Sequence, residues 1–277
     1  MQNNKKTCFT PLLTTPAGST LTLDNWEMLK VEAACYALDA LLMKPGLSLL
    51  SKESLKAYGG WQGIGVLNAS LLKANAEGVC TVRSIYDGST HHLHFSQLYS
   101  LIVSLAPQVV ILPEGFVNYL TANTQALPDG MEVFIPWQEE KPSMHYAGYY
   151  FAYDKSTSFS DFLAKLAHSE GKPCYGAGDF TLEDCMALKS SAAFSYIESD
   201  KPAKDAMEGV IYPNIQLLDE DMAHQHTLLA EDCACPTCKE GLTRAYLHHL
   251  LQHTPLLCQR FLIQHNAHYY QNVIAQA

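Results

Sequence analysis

The chain is poor in charge. Only 17% of its 277 residues are Asp, Glu, Lys or Arg, with 18 basic against 28 acidic, a formal net charge of −10. That balance disfavours a protein that grips nucleic acid by bulk attraction, so no DNA partner is expected. A local basic face stays open, and any RNA contact is expected to be weaker than in a basic homologue or to need a partner. No apolar run reaches the roughly 18 residues that a membrane-crossing helix needs, so no membrane partner is expected. The opening stretch, MQNNKKTCFTPLL, has two lysines and only a brief apolar segment, and no signal peptide is expected. Internal repeats and low-complexity tracts are absent. Six of the nine cysteines (Cys8, Cys35, Cys80, Cys174, Cys185, Cys258) stand singly. Such spacing favours a reducing, cytoplasmic setting over a disulfide framework.

What is present is alternation. The runs Gly65–Leu67, Val109–Leu112, Val133–Ile135, Tyr149–Phe151 and Gly209–Ile211 read as buried strands. Between them lie helical patterns. One spans Asp24 to Met43, stopped by Pro45-Gly46; others span Ser96–Leu105, Ser158–Ser169 and Thr181–Ser190, the last capped by Thr181. Alternating strand and helix argues for a parallel α/β fold. From Thr243 the pattern is helical only: one helix to Gln252, then a second opened by Thr254-Pro255 and carrying His265.

The remaining three cysteines form Cys233-Ala-Cys235-Pro-Thr-Cys238. Three thiols within six residues and the distant His265 can supply four ligands to a tetrahedral ion, the chemistry of a closed structural zinc site. Such a site is expected to clamp the last two helices to the loop before them. His92 and His94 share one face of an expected strand after the Asp87-Gly88-Ser89 turn, but surface histidines there need no metal. His248 and His249 are adjacent on a helix and point different ways, so a packing histidine beside an exposed one is expected.

The C-terminal text closely resembles the zinc subdomain of the tRNA-guanine transglycosylases, whose pattern is C-x-C-x2-C, then RAY-x-HHL, then HN-x3-Y. Here these are Cys233 to Cys238, Arg244-Ala-Tyr246 with His248-His249-Leu250, and His265-Asn266 with Tyr270. Fainter resemblances run through Met43-Lys44-Pro45-Gly46, Gly60-Trp61, Asp87-Gly88-Ser89 and Gly176-Ala177-Gly178. The resemblance implies a (β/α)8 barrel over residues 1–219, trimmed between Glu114 and Gly148. It also implies a zinc-binding helical subdomain over 220–277. Family members exchange a guanine in a tRNA anticodon for a deazaguanine on the path to queuosine.

The resemblance also shows what is missing. The family chemistry uses a nucleophilic aspartate in an FDCVLPTR-like motif and a second aspartate in a TDSGGFQ-like motif. Ser195 and Asn68 align with these, and neither supplies a carboxylate. Ala152-Tyr153-Asp154 aligns with the glycines that close on the base, and Tyr153 is expected to fill that pocket. Glu114 and Gln138 align with base-reading residues, and Lys201 and Lys204 with a phosphate-contacting arginine. The reading is a catalytically degenerate paralogue, resembling the family's non-catalytic accessory subunit. It is expected to bind tRNA or to form a homodimer, or a heterodimer with a catalytic transglycosylase. Two alternatives stay open: an active enzyme using Glu198 or Asp200 as a relocated nucleophile, or a barrel repurposed for an unrelated partner.

Overall fold

The structure, a computed structural model, describes residues 7–138, 142–191 and 194–276. Strands β1 (Cys8–Thr10), β2 (Ala33–Ala37) and β3 (Ile64–Asn68) come first, followed by an antiparallel hairpin, β4 (Val79–Arg83) and β5 (Thr90–His94). Strands β6 (Val109–Ile111), β7 (Glu132–Pro136), β8 (Gly148–Tyr153), β9 (Cys174–Gly178) and β10 (Phe194–Glu198) complete the set. The eight strands outside the hairpin pair in parallel in sequence order, and β10 returns to pair with β1. Just beyond β1, a bridge between Leu12 and Cys35 of β2 closes the ring. The fold is the expected (β/α)8 barrel.

These strands read as nearly continuous apolar runs because both faces are covered. Side chains such as Val110, Val133 and Ile135 point outward into the layer shared with the helices. Val66, Val109, Ile111, Phe134, Tyr175 and Tyr196 fill the barrel interior. The interior is unusually aromatic. Phe134, Tyr175 and Tyr196 lie with ring centroids 5.5 to 5.9 Å apart, and Tyr150 joins Tyr175 at 6.1 Å. Small residues on β2 and β9, Ala33, Cys35 and Ala177, leave room for them.

Two expected elements differ. The segment read as one helix from Asp24 to Met43 is a short helix, Leu23–Met28, followed by β2. Lys30 takes a left-handed backbone, φ 57°, which ends the helical course. The following Ala-Ala-Cys-Tyr-Ala is apolar on both faces, a pattern that a buried strand and a buried helix share. The run ending in Ile211 is no barrel strand. It forms a small antiparallel ribbon, β11 (Val210–Ile211) with β12 (Ile215–Gln216), outside the ring.

Trimming in the middle is visible. Among the described residues no helix lies between β7 and β8, and the helix between β6 and β7, Phe116–Ala122, has 7 residues. The C-terminal helix, Pro255–Gln276, packs against β1 and against the helices Leu182–Ser191 and Lys201–Met207. It thus covers the barrel where the last strand meets the first. Tyr270 anchors it, with its ring 5.1 Å from Phe9 and its hydroxyl donating to the Phe180 carbonyl at 3.0 Å. None of the described helices is long and apolar enough to cross a membrane.

Candidate metal centre and barrel mouth

Cys233, Cys235, Cys238 and His265 bring one ligand atom each to within 4.8 Å of one another. The short helix Pro236–Lys239 explains the thiol geometry. Cys235 sits at its N-cap, where its sulfur accepts the Cys238 amide at 3.3 Å and turns both thiols to one side. His265 is fully buried and sits on the C-terminal helix. Its Nε2–H donates to the Tyr212 carbonyl at 2.9 Å, which fixes the tautomer and leaves Nδ1 as the ligand atom. The three sulfurs lie 3.3, 3.6 and 3.7 Å from Nδ1. A tetrahedral zinc, with Zn–S near 2.3 Å and Zn–N near 2.0 Å, requires an S···N edge of about 3.5 Å. The four residues therefore fit a zinc-sized ion with every position filled by protein. The neighbouring Asn266 continues the clamp: it accepts from the Tyr212 amide at 2.9 Å and donates to the Val210 carbonyl at 2.8 Å.

The ligands tie only the last helix to the cysteine loop. The helix Arg244–His253 carries none of them and is held by Thr243, which accepts the Tyr246 amide. His248 of that helix is buried and meets the Leu217 carbonyl at 2.7 Å, while His249 is exposed. His92 and His94 are exposed on β5 and belong to no metal-binding group among the described residues. All nine cysteines are free thiols.

At the other centre, the carboxyl ends of the strands, the structure pairs Asn68 with Glu198, which the sequence offered only as an alternative nucleophile and not as the partner of Asn68. Asn68 ends β3 and Glu198 ends β10, both facing inward and buried. The Asn68 amide donates to both Glu198 oxygens, at 3.2 and 2.9 Å. The Tyr175 hydroxyl donates to Oε2 at 2.8 Å, and the Cys35 thiol lies beside the same carboxylate. Burial pushes the Glu198 carboxyl up from its ordinary range, against the pull of these donors. The same enclosure raises the Cys35 thiol and Tyr175 phenol well above their usual values.

Ser195 is not part of this cluster. It lies near the start of β10, at a register irregularity between Phe194 and Tyr196, three residues before Glu198. Glu114 is exposed in the loop after β6, and Gln138 is half-buried after β7. Both occupy the correct end of the barrel but neither reaches the Asn68–Glu198 pair through a hydrogen bond among those described. Tyr153 does not fill the mouth. It turns outward and stacks on Phe180, with centroids 5.4 Å apart and an interplanar angle of 11°. Strand alternation puts Tyr150, not Tyr153, inside. Lys201 and Lys204 are engaged by carboxylates: Lys201 by Asp205 at 2.8 Å, and Lys204 by Asp179 at 3.0 Å. The alternation in Tyr196-Ile197-Glu198 is the signal that could have identified Glu198, since a polar residue closing a barrel strand faces the mouth.

Comparison with known proteins agrees with this architecture. The family described as queuine tRNA-ribosyltransferase matches residues 183–277, which contain β10, the cysteine cluster and the C-terminal helix. A queuine tRNA-ribosyltransferase of Jannaschia sp. is 25% identical over 263 residues, 80% of this chain and 69% of that protein. Another, from Methylobacillus flagellatus, is 33% identical over 122 residues, 41% of this chain and 32% of that protein. The queuine tRNA-ribosyltransferase accessory subunit 2 of Drosophila erecta is 37% identical over 87 residues, 31% of this chain and 19% of that protein. In the last two, the aligned stretch is less than two thirds of the relative's own length. The matched C-terminal region and these relatives make the chain similar to the queuine tRNA-ribosyltransferases, through the family pattern at residues 183–277 and through one bacterial member over 80% of its length.

Proposed function

We propose that this protein is a non-catalytic family member that serves queuosine modification of tRNA as the accessory partner of a catalytic transglycosylase. The observation that carries this reading is the bond between Asn68 and Glu198. A nucleophile needs a carboxylate oxygen free to attack, and a general acid/base needs a proton to exchange. Glu198 is buried and its oxygens accept from Asn68 and Tyr175. Asn68, where the resemblance expects a catalytic aspartate, carries no titratable proton. The aromatic plug of Tyr150, Tyr175 and Tyr196 leaves little depth on the barrel axis for a heterocycle. The Drosophila relative's name, accessory subunit 2, supports the accessory role. The names of the bacterial relatives support tRNA as the molecule served.

In this reading Cys233, Cys235, Cys238 and His265 hold a structural zinc, and 220–277 act as the metal-clamped unit on the barrel of 1–219. The zinc would rigidify the C-terminal helix and take no part in chemistry. The setting is cytoplasmic and the assembly a dimer, most simply a heterodimer. Co-expression with a catalytic family member followed by light scattering tests this. A stable complex that binds tRNA supports it, and two proteins that stay monomeric and separate contradict it.

A second reading rests on one observation: Glu198 and Asp200 stand at the carboxyl end of the strands, where barrel enzymes keep their catalytic groups. Guanine exchange by the protein alone that is lost in Glu198→Ala or Asp200→Ala, and kept in Ser195→Ala, would favour it.

A further inference from the structure

Beside the Asn68–Glu198 pair, over the ends of β9, β10 and β1, lies a cavity of about 230 Å³. Leu12 and Pro16 give it an apolar wall, and Thr15, Asp179, Asp200 and Lys204 give it polar ones. Asp200 is the unusual member, being only 6% exposed. Its Oδ1 accepts from the Thr15 hydroxyl at 2.9 Å, but its Oδ2 is buried with no hydrogen-bond partner among the described residues. The nearest cation is the Lys204 ammonium, 3.9 Å away, beyond hydrogen-bonding range. That ammonium donates to Asp179, with both oxygens at 3.0 Å. One ammonium is therefore shared between two carboxylates: it bonds Asp179 and pairs only at longer range with Asp200, whose Oδ2 accepts no hydrogen bond among the described residues. Buried polar atoms of this kind are rare and call for an explanation.

We propose that this cavity is a binding site for the ammonium group of a small organic amine, with Asp200 as its anchor. An ammonium supplies what Oδ2 lacks, a strong charged donor within hydrogen-bonding range. Thr15 holds the carboxylate in one orientation, and Leu12 with Pro16 receives the carbon skeleton. A phosphate or carboxylate ligand is disfavoured, because Asp179, Asp200 and Glu198 all border the space against one lysine. The site is off the barrel axis, uses none of the metal ligands, and holds whether or not the chain is an accessory subunit.

The test is an amide-resolved NMR titration of the full chain with putrescine, with butane-1,4-diol as the uncharged analogue. Putrescine is expected to move the amides of Thr15, Gly178 and Asp200. Asp200→Asn is expected to weaken binding about tenfold or more, the scale of one lost charge-assisted hydrogen bond. Should that variant fold poorly, the wild-type map against the diol still decides. Equal shifts from the diol would overturn the cationic assignment. Shifts elsewhere on the surface, or none, would overturn the site.

Discussion

The Asn68 amide donates to both oxygens of the Glu198 carboxylate across the carboxyl ends of β3 and β10, at 3.2 and 2.9 Å. The pair joins residues 130 positions apart and ties opposite arms of the sequence together. In a catalytic barrel such a position would be kept free for substrate. Here it is a closed polar contact, and its consequences can be measured.

Glu198→Gln should destabilise the fold. Every neighbour of the carboxylate is a donor, so a glutamine amide would set N–H against N–H. A buried donor left unmatched costs about 1–3 kcal/mol. A thermal melt should show a midpoint lower by several degrees, at about 2–4 °C per kcal/mol for a chain of this size.

Asn68→Asp restores the carboxylate that the family resemblance expects, yet it should weaken this protein at neutral pH. It would place two carboxylates in direct contact, so one must hold a proton. The deficit should shrink as pH falls toward 4, and comparing melts at pH 4.5 and 7.5 checks this.

Asp200→Asn should do the opposite. Burial raises the Asp200 carboxyl above its unfolded value of 3.8. A raised folded-state pKa means the group favours the folded state below the unfolded value, and that advantage is lost as pH rises through the folded value. The neutral amide escapes that loss and keeps the bond from Thr15. The variant should therefore be more stable than wild type at pH 7, and that advantage should vanish as pH falls to about 4. Urea unfolding at the two pH values reads the difference.

The metal clamp yields two expectations. Metal analysis should find one zinc per chain, and chelation should release hydrogen-exchange protection along Pro255–Gln276 before it affects the barrel strands. Asn266→Ala leaves the thiols and imidazole in place but orphans the Tyr212 amide and the Val210 carbonyl. It should cost about 2–4 kcal/mol, read by urea unfolding, while the zinc stays bound.

The cluster of Cys233, Cys235, Cys238 and His265, which could hold a metal ion, was legible in the sequence because its pattern is local. Three thiols must fall within one turn of chain, and the imidazole arrives on a helix whose start is marked by Thr254-Pro255. Helix caps were legible for the same reason at Thr181 and Thr243, which accept the amides that their positions promise, whereas the first helix is capped by Thr22. The barrel mouth was legible only in part. Asn68 could be placed because β3 is a clear apolar run that ends there. Glu198 was obscured by motif alignment, which drew attention to Ser195 three residues earlier. Only strand parity and the closing of the ring reveal which residue of β10 meets β3. β2 was hidden because Ala33-Ala34-Cys35-Tyr36-Ala37 lacks β-branched residues, and its identity as a strand comes from pairing with β3. The cavity at Asp200 joins three loops that no local pattern connects.

The measurement that tests the central claim most directly is incorporation of radiolabelled guanine into unmodified tRNA, first by the protein alone and then with a catalytic family member added. The account predicts no incorporation alone and a changed rate, with co-purification, when the catalytic member is present. Incorporation by the protein alone that disappears in Glu198→Ala would contradict it and show that the closed contact at the barrel mouth opens to do chemistry.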